Sequence, residues 1–313
     1  MKVAALSSAE LRTRLSSCGI WLRTGPFITH IQSSIPSIAD GIALLYADYP
    51  IEGEAAFADF HVAVSRPANL RRWVRPQAVF LFDGRAAFPA LPLAQTYPMF
   101  EWGLNWCIYN HANQYLIFHA AVVEKGGRAA IMPGEPGIGK STLCAALVHC
   151  GWRLLSDELA LISLGDVTVT PITRPVSLKN ASIDVIRAFA PAAVIGQVTP
   201  DTAKGAVAYM RPPVDSVERS LDPATAGWIV FPQYVARTGA QLGSESKART
   251  FMKIANAAFN YSALGVAAFE TVSGLVDSCD CFDLAYGDLD EAIAAFDALG
   301  SSSAESAPAR MPA

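Results

Sequence analysis

Apolar positions along the chain fall into short runs, and the spacing within each run separates strands from helices. Ile20 to Ile31, Phe60 to Val64 and Ala78 to Phe82 read as strands, the last ending at an Asp83-Gly84 turn. A helix is predicted near Ser37 to Tyr46 with Ser37 as its cap, and Ser7 with Glu10 has the spacing of a capping box. The Pro-containing stretch Phe88 to Pro98 is the best place for a linker, and a helix is expected over Phe100 to Ala112. Two apolar strands follow, Tyr115 to Val123 and Arg128 to Met132, and Lys125-Gly126-Gly127 between them predicts a hairpin. The second strand runs straight into a glycine-rich loop. A helix over Lys140 to Cys150 and a short strand over Arg153 to Ser156 come next. After Pro171 the pattern is less regular, and the Ser-, Ala- and Pro-rich end from Gly300 to Ala313 is expected to be disordered.

This order of elements predicts an α/β protein. A smaller N-terminal α/β domain, expected to take part in acceptor recognition, is predicted over residues 1–95, with a second domain over 105–299 and a tail over 300–313. The composition is 52% hydrophobic and 17% charged, enough for a sizeable core. Mean hydropathy is positive at +0.28, yet no apolar run has the length of a bilayer span. The richest stretch, Ala255 to Val276, is interrupted by Asn256, Asn260, Ser262, Gly265 and Glu270. A formal net charge of −4 argues against nucleic acid as a partner, and Arg71, Arg72 and Arg75 read as a small solvated cluster. The six cysteines form no CxxC pair and no zinc-ligand spacing, so buried reduced thiols are expected. With no signal-peptide core at the N-terminus, the expected location is the cytoplasm, away from membranes.

The chemistry concentrates in one segment. Gly134-Glu135-Pro136-Gly137-Ile138-Gly139-Lys140-Ser141, followed by Thr142, fits GxxxxGK(S/T) at every required position. Such a P-loop curls so that backbone N–H groups point at phosphate oxygens, and the helix that follows adds its positive end. Lys140 would reach the β/γ-phosphates and Ser141 would ligate Mg²⁺. Chance would produce the motif in roughly one chain of this length in a hundred. The apolar strand entering it and the apolar helix leaving it lower that further. The loop therefore predicts binding of ATP or GTP with Mg²⁺, and ATP is the cofactor expected.

Three features qualify that prediction. Asp157-Glu158 ends a short apolar strand 17 residues beyond Lys140, where a carboxylate can hold Mg²⁺ or take a proton from a nucleophile. A solvated turn would look the same locally. His119 lies inside the apolar run Leu116 to Val122, where a core histidine is the commoner occurrence. Downstream stand Arg174, Lys179, Lys204 and Arg211, cations that could meet substrate or phosphate, or simply face solvent.

Together these residues resemble the catalytic domain of HPr kinase/phosphorylase, whose P-loop core is related to phosphoenolpyruvate carboxykinase. His119 precedes Lys140 by 21 residues, the spacing of that family, and Asp157-Glu158 stands where the family has two aspartates. The close likeness covers roughly Leu116 to Ser163. Over a longer span Glu101 to Cys107, Trp152 to Glu158, Arg174 to Asn180 and Phe259-Asn260-Tyr261 resemble the group named HprK-related kinase A. The resemblance implies a serine kinase. Asp157 would be the base toward the acceptor hydroxyl, His119 and Lys140 its catalytic neighbours, and Ser141, Asp157 and Glu158 the Mg²⁺ site. A protein or peptide would be the acceptor, and family members assemble as hexamers, which leaves a homo-oligomer open. The RGLGI-type signature after the acidic pair is absent, and residues 1–95 do not look like the family's regulatory domain. Both departures point away from HPr itself as acceptor and away from reverse phosphorolysis. A small-molecule kinase on the same core, or a nucleotide-binding switch without transferase activity, stays open.

Overall fold

A computed structural model describes residues 1–53, 56–135 and 137–302. The chain opens with α1 (Ser8–Ser16), whose capping box forms as expected: Glu10 N–H donates to Ser7 Oγ and Ser7 N–H to Glu10 Oε2. The run expected as one strand is a hairpin of β1 (Ile20–Thr24) and β2 (Phe27–Ser33). It turns at Gly25-Pro26. Gly25 has φ +58°, and a side chain there would collide with the Pro171 carbonyl. Next come α2 (Pro36–Leu45), β3 (Ile51–Glu52), β4 (Phe60–Ser65), β5 (Gln77–Phe82), β6 (Arg85–Ala86) and β7 (Leu91–Pro92). Ser37 does not cap α2. Ile35 is the cap residue and Pro36 takes the first helical position, where its missing N–H costs nothing.

These strands form one sheet in the order β3-β1-β2-β4-β5-β6, with β7 also on β5. β2 and β4 run parallel and the other pairs antiparallel. Helix α3 (Thr96–His111) packs on β4, β5 and α2. The expected linker is therefore structured: it holds β7, a 3-10 turn over Leu93–Gln95 and the start of α3, with Thr96 fully buried. The expected domain start at residue 105 falls inside α3, because that helix supplies apolar side chains to the N-terminal core.

The second sheet is built from β8 (Tyr115–Lys125), β9 (Arg128–Pro133), β10 (Arg153–Ser156), β11 (Leu159–Ser163), β12 (Val169–Thr170), β16 (Thr225–Tyr234), β17 (Gln241–Ser244) and β18 (Asp280–Tyr286). Its order is β12-β11-β8-β9-β16-β18-β17, with β10 also on β8. Only β9–β16 and β16–β18 are parallel. Helices α4 (Lys140–His149) and α10 (Leu289–Ser302) cover one face. The other face is covered by α7 (Lys247–Ala257), α8 (Tyr261–Leu264) and α9 (Val266–Ser278). With both faces buried, β8 reads as a continuous apolar run. Ala121 and Val123 point to the α4 layer, while Phe118, Ala120 and Val122 point to the α7–α9 layer. A third sheet, β13 (Val176–Lys179), β15 (Gly205–Met210) and β14 (Thr199–Thr202), is accompanied by α5 (Ala181–Phe189) and α6 (Val214–Glu218).

The two halves share a core. Ile117, Leu159, Leu161, Ile172, Val207, Tyr209 and Val217 pack with the apolar residues of the N-terminal sheet. Helix α10 runs on to Ser302, past Gly300 where the tail was expected to begin; residues 303–313 lie outside the described residues. Of the six cysteines, Cys18 and Cys150 are exposed, so the expectation of uniformly buried thiols is corrected. Among the described residues no helix is long and apolar enough to cross a membrane.

Candidate functional site

The loop sits where the sequence placed it, between β9 and α4. Gly134, Gly137 and Gly139 have φ of +151°, +92° and +105°, backbone that L side chains rarely adopt. At Gly139 a side chain would also strike the Tyr286 hydroxyl, which donates to the Gly139 carbonyl at 3.1 Å. Tyr234 N–H donates to the Ile138 carbonyl at 3.0 Å. The ends of β16 and β18 thus brace the loop from behind. Nothing in the local sequence identified Tyr234 or Tyr286, because their place comes from parallel pairing across the sheet. Gly139 caps α4 with no side-chain hydrogen bond, so the helix presents its N-terminal end to the loop. Pro136 lies outside the described residues.

Lys140 is the first residue of α4 and is almost fully buried. Its ammonium folds back on the loop and donates to the carbonyls of Gly134 and Glu135, the latter at 2.7 Å. Burial pushes its pKa down to about 8 against the pull of Asp157 and Glu158. Ser141 and Thr142 follow on the first turn, both half-buried.

Asp157 and Glu158 occupy the connection between β10 and β11. Asp157 is 5% exposed. Its Oδ2 accepts from Ser177 N–H of β13 at 2.8 Å, while its Oδ1 is buried with no hydrogen-bond partner among the described residues. Burial, then the charge of Glu158, pushes the Asp157 carboxyl up to about 6; Lys179, the Ser177 N–H and the Ser141 hydroxyl pull the other way. Glu158 shifts oppositely. Burial raises it, but the charges of Lys179, Lys204 and His119 together hold it below the ordinary carboxylate range. Two adjacent carboxylates with pKa values pushed apart can divide acid–base labour, one taking a proton while the other stays charged.

His119 reaches this pair through strand register, because it lies opposite Leu159 in the β8–β11 ladder. Its Nδ1 donates to the Glu158 carbonyl at 2.9 Å and lies 3.7 Å from Glu158 Oε2. That bond leaves Nε2 as the acceptor nitrogen of the neutral ring. Burial lowers the His119 pKa, so neutrality is favoured.

The downstream cations divide into two groups. Lys179 Nζ lies 3.2 Å from Glu158 Oε1, and Lys204 Nζ lies over the Trp102 ring, 5.3 Å from its centroid. Both belong to the charge cluster around Glu158. Arg174 and Arg211, expected as weaker substrate contacts, are engaged in ion pairs. Arg174 is buried against Glu101 at 2.8 Å, and Arg211 pairs with Asp48. Each joins the third sheet or its approach to the N-terminal half.

One cavity of about 20 Å³ opens beside Asp157. Trp102 and Asn105 of α3, Ser177 of β13, Tyr209 of β15 and Arg174 line it with the acidic pair. The N-terminal half therefore reaches the site through α3. Sequence reasoning missed these residues apart from Arg174, since only long-range packing brings α3 to Asp157.

What emerges is a mixed α/β protein with a glycine loop at a helix N-terminus and a buried, partly unpartnered carboxylate beside it. No protein-family description matches the chain, and no curated protein sequence matches it. Among solved structures, the Hpr(Ser) kinase/phosphatase from Coxiella burnetii aligns with 59% of this chain and 98% of its own, at 12% identity and a TM-score of 0.25. At that level the likeness transfers neither topology nor activity, and the functional reading has to stand on the site's own residues.

Proposed function

We propose that this chain transfers the γ-phosphoryl group of ATP to a hydroxyl, on a core of the HPr kinase type, with a seryl side chain of a protein or peptide as acceptor. The observation that carries the reading is Asp157: a buried carboxylate with one unpartnered oxygen, raised pKa, and the phosphate-loop lysine and serine as neighbours. A carboxylate with these properties suits proton removal near neutral pH.

The backbone of Gly134 to Gly139 would cradle the β-phosphate, and Lys140 would leave its loop carbonyls to neutralise the transferring group. Mg²⁺ fits Ser141 directly and the Asp157 carboxylate through water, since this ion takes one or two protein oxygens, keeps several waters and completes its shell with phosphates. Bound there, it would offset charge on the β- and γ-phosphates. Glu158 enters that shell only if Lys179 releases it. His119, fixed by the Glu158 carbonyl, orients the acidic segment. Asp157 would accept the proton of the attacking hydroxyl.

The cavity size favours a macromolecular acceptor over a metabolite. Pockets that enclose small molecules begin near roughly 300 Å³, whereas the space beside Asp157 is about 20 Å³. It suits the tip of one side chain. Incubating the protein with γ-labelled ATP and a lysate of its native host tests this. Label should appear on phosphoserine in protein and be lost with Lys140→Ala. Label only in small molecules would replace the acceptor class, and equal labelling by wild type and variant would sink the kinase reading.

A further inference from the structure

Buried polar side-chain atoms are nearly always hydrogen-bonded, so a cluster of exceptions marks a place where something is meant to bind. Among the described residues, the buried side-chain atoms without a hydrogen-bond partner are Trp102 Nε1, Asp157 Oδ1, Arg174 Nε, Ser177 Oγ, Tyr209 Oη and Thr250 Oγ1. All of these residues except Thr250 line the cavity beside Asp157. Asp157, Arg174, Ser177 and Tyr209 are each more than nine-tenths buried. Ser177 and Tyr209 are cross-strand partners in the β13–β15 ladder, and their side chains are near enough for the two hydroxyls to pair with one another.

The donor and acceptor inventory specifies the occupant. Trp102 Nε1 and Arg174 Nε can only donate, Asp157 Oδ1 in its charged form can only accept, and the two hydroxyls can do either. With the two hydroxyls paired to each other, one oxygen that carries a proton and has two lone pairs meets the remaining three: it donates to Asp157 and accepts from Trp102 and Arg174. A space of about 20 Å³ admits one such oxygen. The remaining fork of Arg174 is held by Glu101 and Asn105, which fixes its Nε in place.

We propose that this cavity is the cradle for the acceptor's hydroxyl, and that Trp102, delivered by the N-terminal half on α3, is one of its hydrogen-bond donors. The proposal rests on the phosphotransferase reading and adds the acceptor's side. The occupant is a slim primary alcohol such as a seryl side chain, and a phenol is too wide. Held there, the acceptor oxygen forms its bond to the γ-phosphorus as the bond to the β,γ-bridging oxygen breaks. ADP leaves, and the hydroxyl proton passes to Asp157. The N-terminal half is then a wall of the reaction site rather than a separate docking unit.

Two measurements on the full-length protein test it. In the first, the Trp102 indole N–H resonance, assigned with Trp102→Phe, is followed as N-acetylserinamide or N-acetylalaninamide is added, with and without Mg-ADP. The seryl probe should shift it and the alanyl probe should not; equal shifts, or none, overturn the proposal. In the second, Trp102→Phe and Tyr209→Phe each remove one polar hydrogen; Tyr209→Phe keeps its ring, and Trp102→Phe keeps a smaller aromatic ring in place of the indole. Mg-ATP affinity should stay within about twofold, while kcat/KM for phosphorylation of N-acetylserinamide should fall about tenfold per lost hydrogen bond. Wild-type kcat/KM in both variants overturns the cradle and leaves the kinase reading intact. A wild type that binds no Mg-ATP sinks the kinase reading, and the indole result still decides whether the cavity takes a hydroxyl.

Discussion

Glu101 and Asp157 are both almost fully buried carboxylates, and the fold treats them in opposite ways. Around Glu101 both carboxylate oxygens are matched. The Tyr46 hydroxyl stands 3.0 Å from both of its oxygens, the Tyr97 hydroxyl donates at 2.8 Å, and Arg174 closes the ion pair at 2.8 Å. Asp157 has one backbone N–H at 2.8 Å and an oxygen left bare. A low-dielectric interior makes each satisfied bond stronger and each missing one more costly. The first cluster therefore serves to lock α3 against the third sheet. The second keeps an open hydrogen-bonding position that a reaction partner or a metal-bound water can fill, which is where sites differ from structure.

The widest separation between the two should come from removing each charge. Asp157→Asn keeps shape but cannot take a proton, so phosphoryl transfer should fall by roughly 10²–10⁴-fold. Calorimetry should find Mg-nucleotide affinity little changed; a parallel loss of affinity would make Asp157 chiefly a metal ligand. The same variant should raise the melting temperature above pH 7. Asp157 binds its proton more tightly folded than unfolded, so its stabilising contribution is present below pH 3.8 and is lost as pH rises through about 6. The neutral amide has no such loss. A lower melting temperature for Asp157→Asn at pH 8 would contradict the idea that this carboxylate is a strained functional group.

Glu101→Ala should do the reverse. It leaves Arg174 buried without its charge partner, a change that costs about 3–5 kcal/mol, read as a shift in the denaturant midpoint at constant m-value. A loss under about 1 kcal/mol would mean that water replaces the carboxylate and the network is not a lock. Between the two clusters lies the brace behind the loop. Tyr286→Phe removes the hydroxyl bonded to the Gly139 carbonyl, a bond worth about 1 kcal/mol. Mg-ATP affinity should weaken about fivefold with the fold intact, and an unchanged dissociation constant would show that the loop holds its shape unaided.

How much of this was readable beforehand follows a physical rule. The β8–β9 hairpin, the loop, α4 and β10 were legible within a residue or two because glycines punctuate them and their hydrogen bonds are local. His119 and Asp157 could be paired because only one helix and two strands separate them. The break at Gly25-Pro26 was missed because apolar residues continue on both sides of it. Side-chain chemistry points to Ser37 as a cap, whereas Pro36 decides the start of α2 through its backbone. The Glu101–Arg174 lock and the tyrosine brace depend on contacts between residues 73 to 147 apart in sequence, and Trp102 flanks an Asp157 that lies 157 − 102 = 55 residues on; no periodicity encodes those. Arg174 and Arg211 show the same limit from the other side: a cation in sequence does not reveal which carboxylate will claim it.

The smallest expected effect concerns Lys179, which stands between the two behaviours. It is ion-paired like the cations of the lock, yet it faces Glu158 in the site. Its charge holds down the pKa of Glu158 and also pulls against the raised pKa of Asp157. Lys179→Met keeps most of the stem and removes the charge, so both carboxyls should titrate at higher pH. Transfer rate rises with pH as Asp157 loses its proton, so the acidic limb of the pH–rate profile should move upward. Well above the limb the rate should match wild type, and near neutral pH it should fall by a factor of roughly two to five, the size expected of a modest change in protonation. A lysine that instead touches the transferring phosphate would leave the limb where it is and lower kcat/KM equally at every pH. The two outcomes separate along the pH axis, so one profile of the variant decides whether Lys179 tunes the acidic pair or grips the substrate.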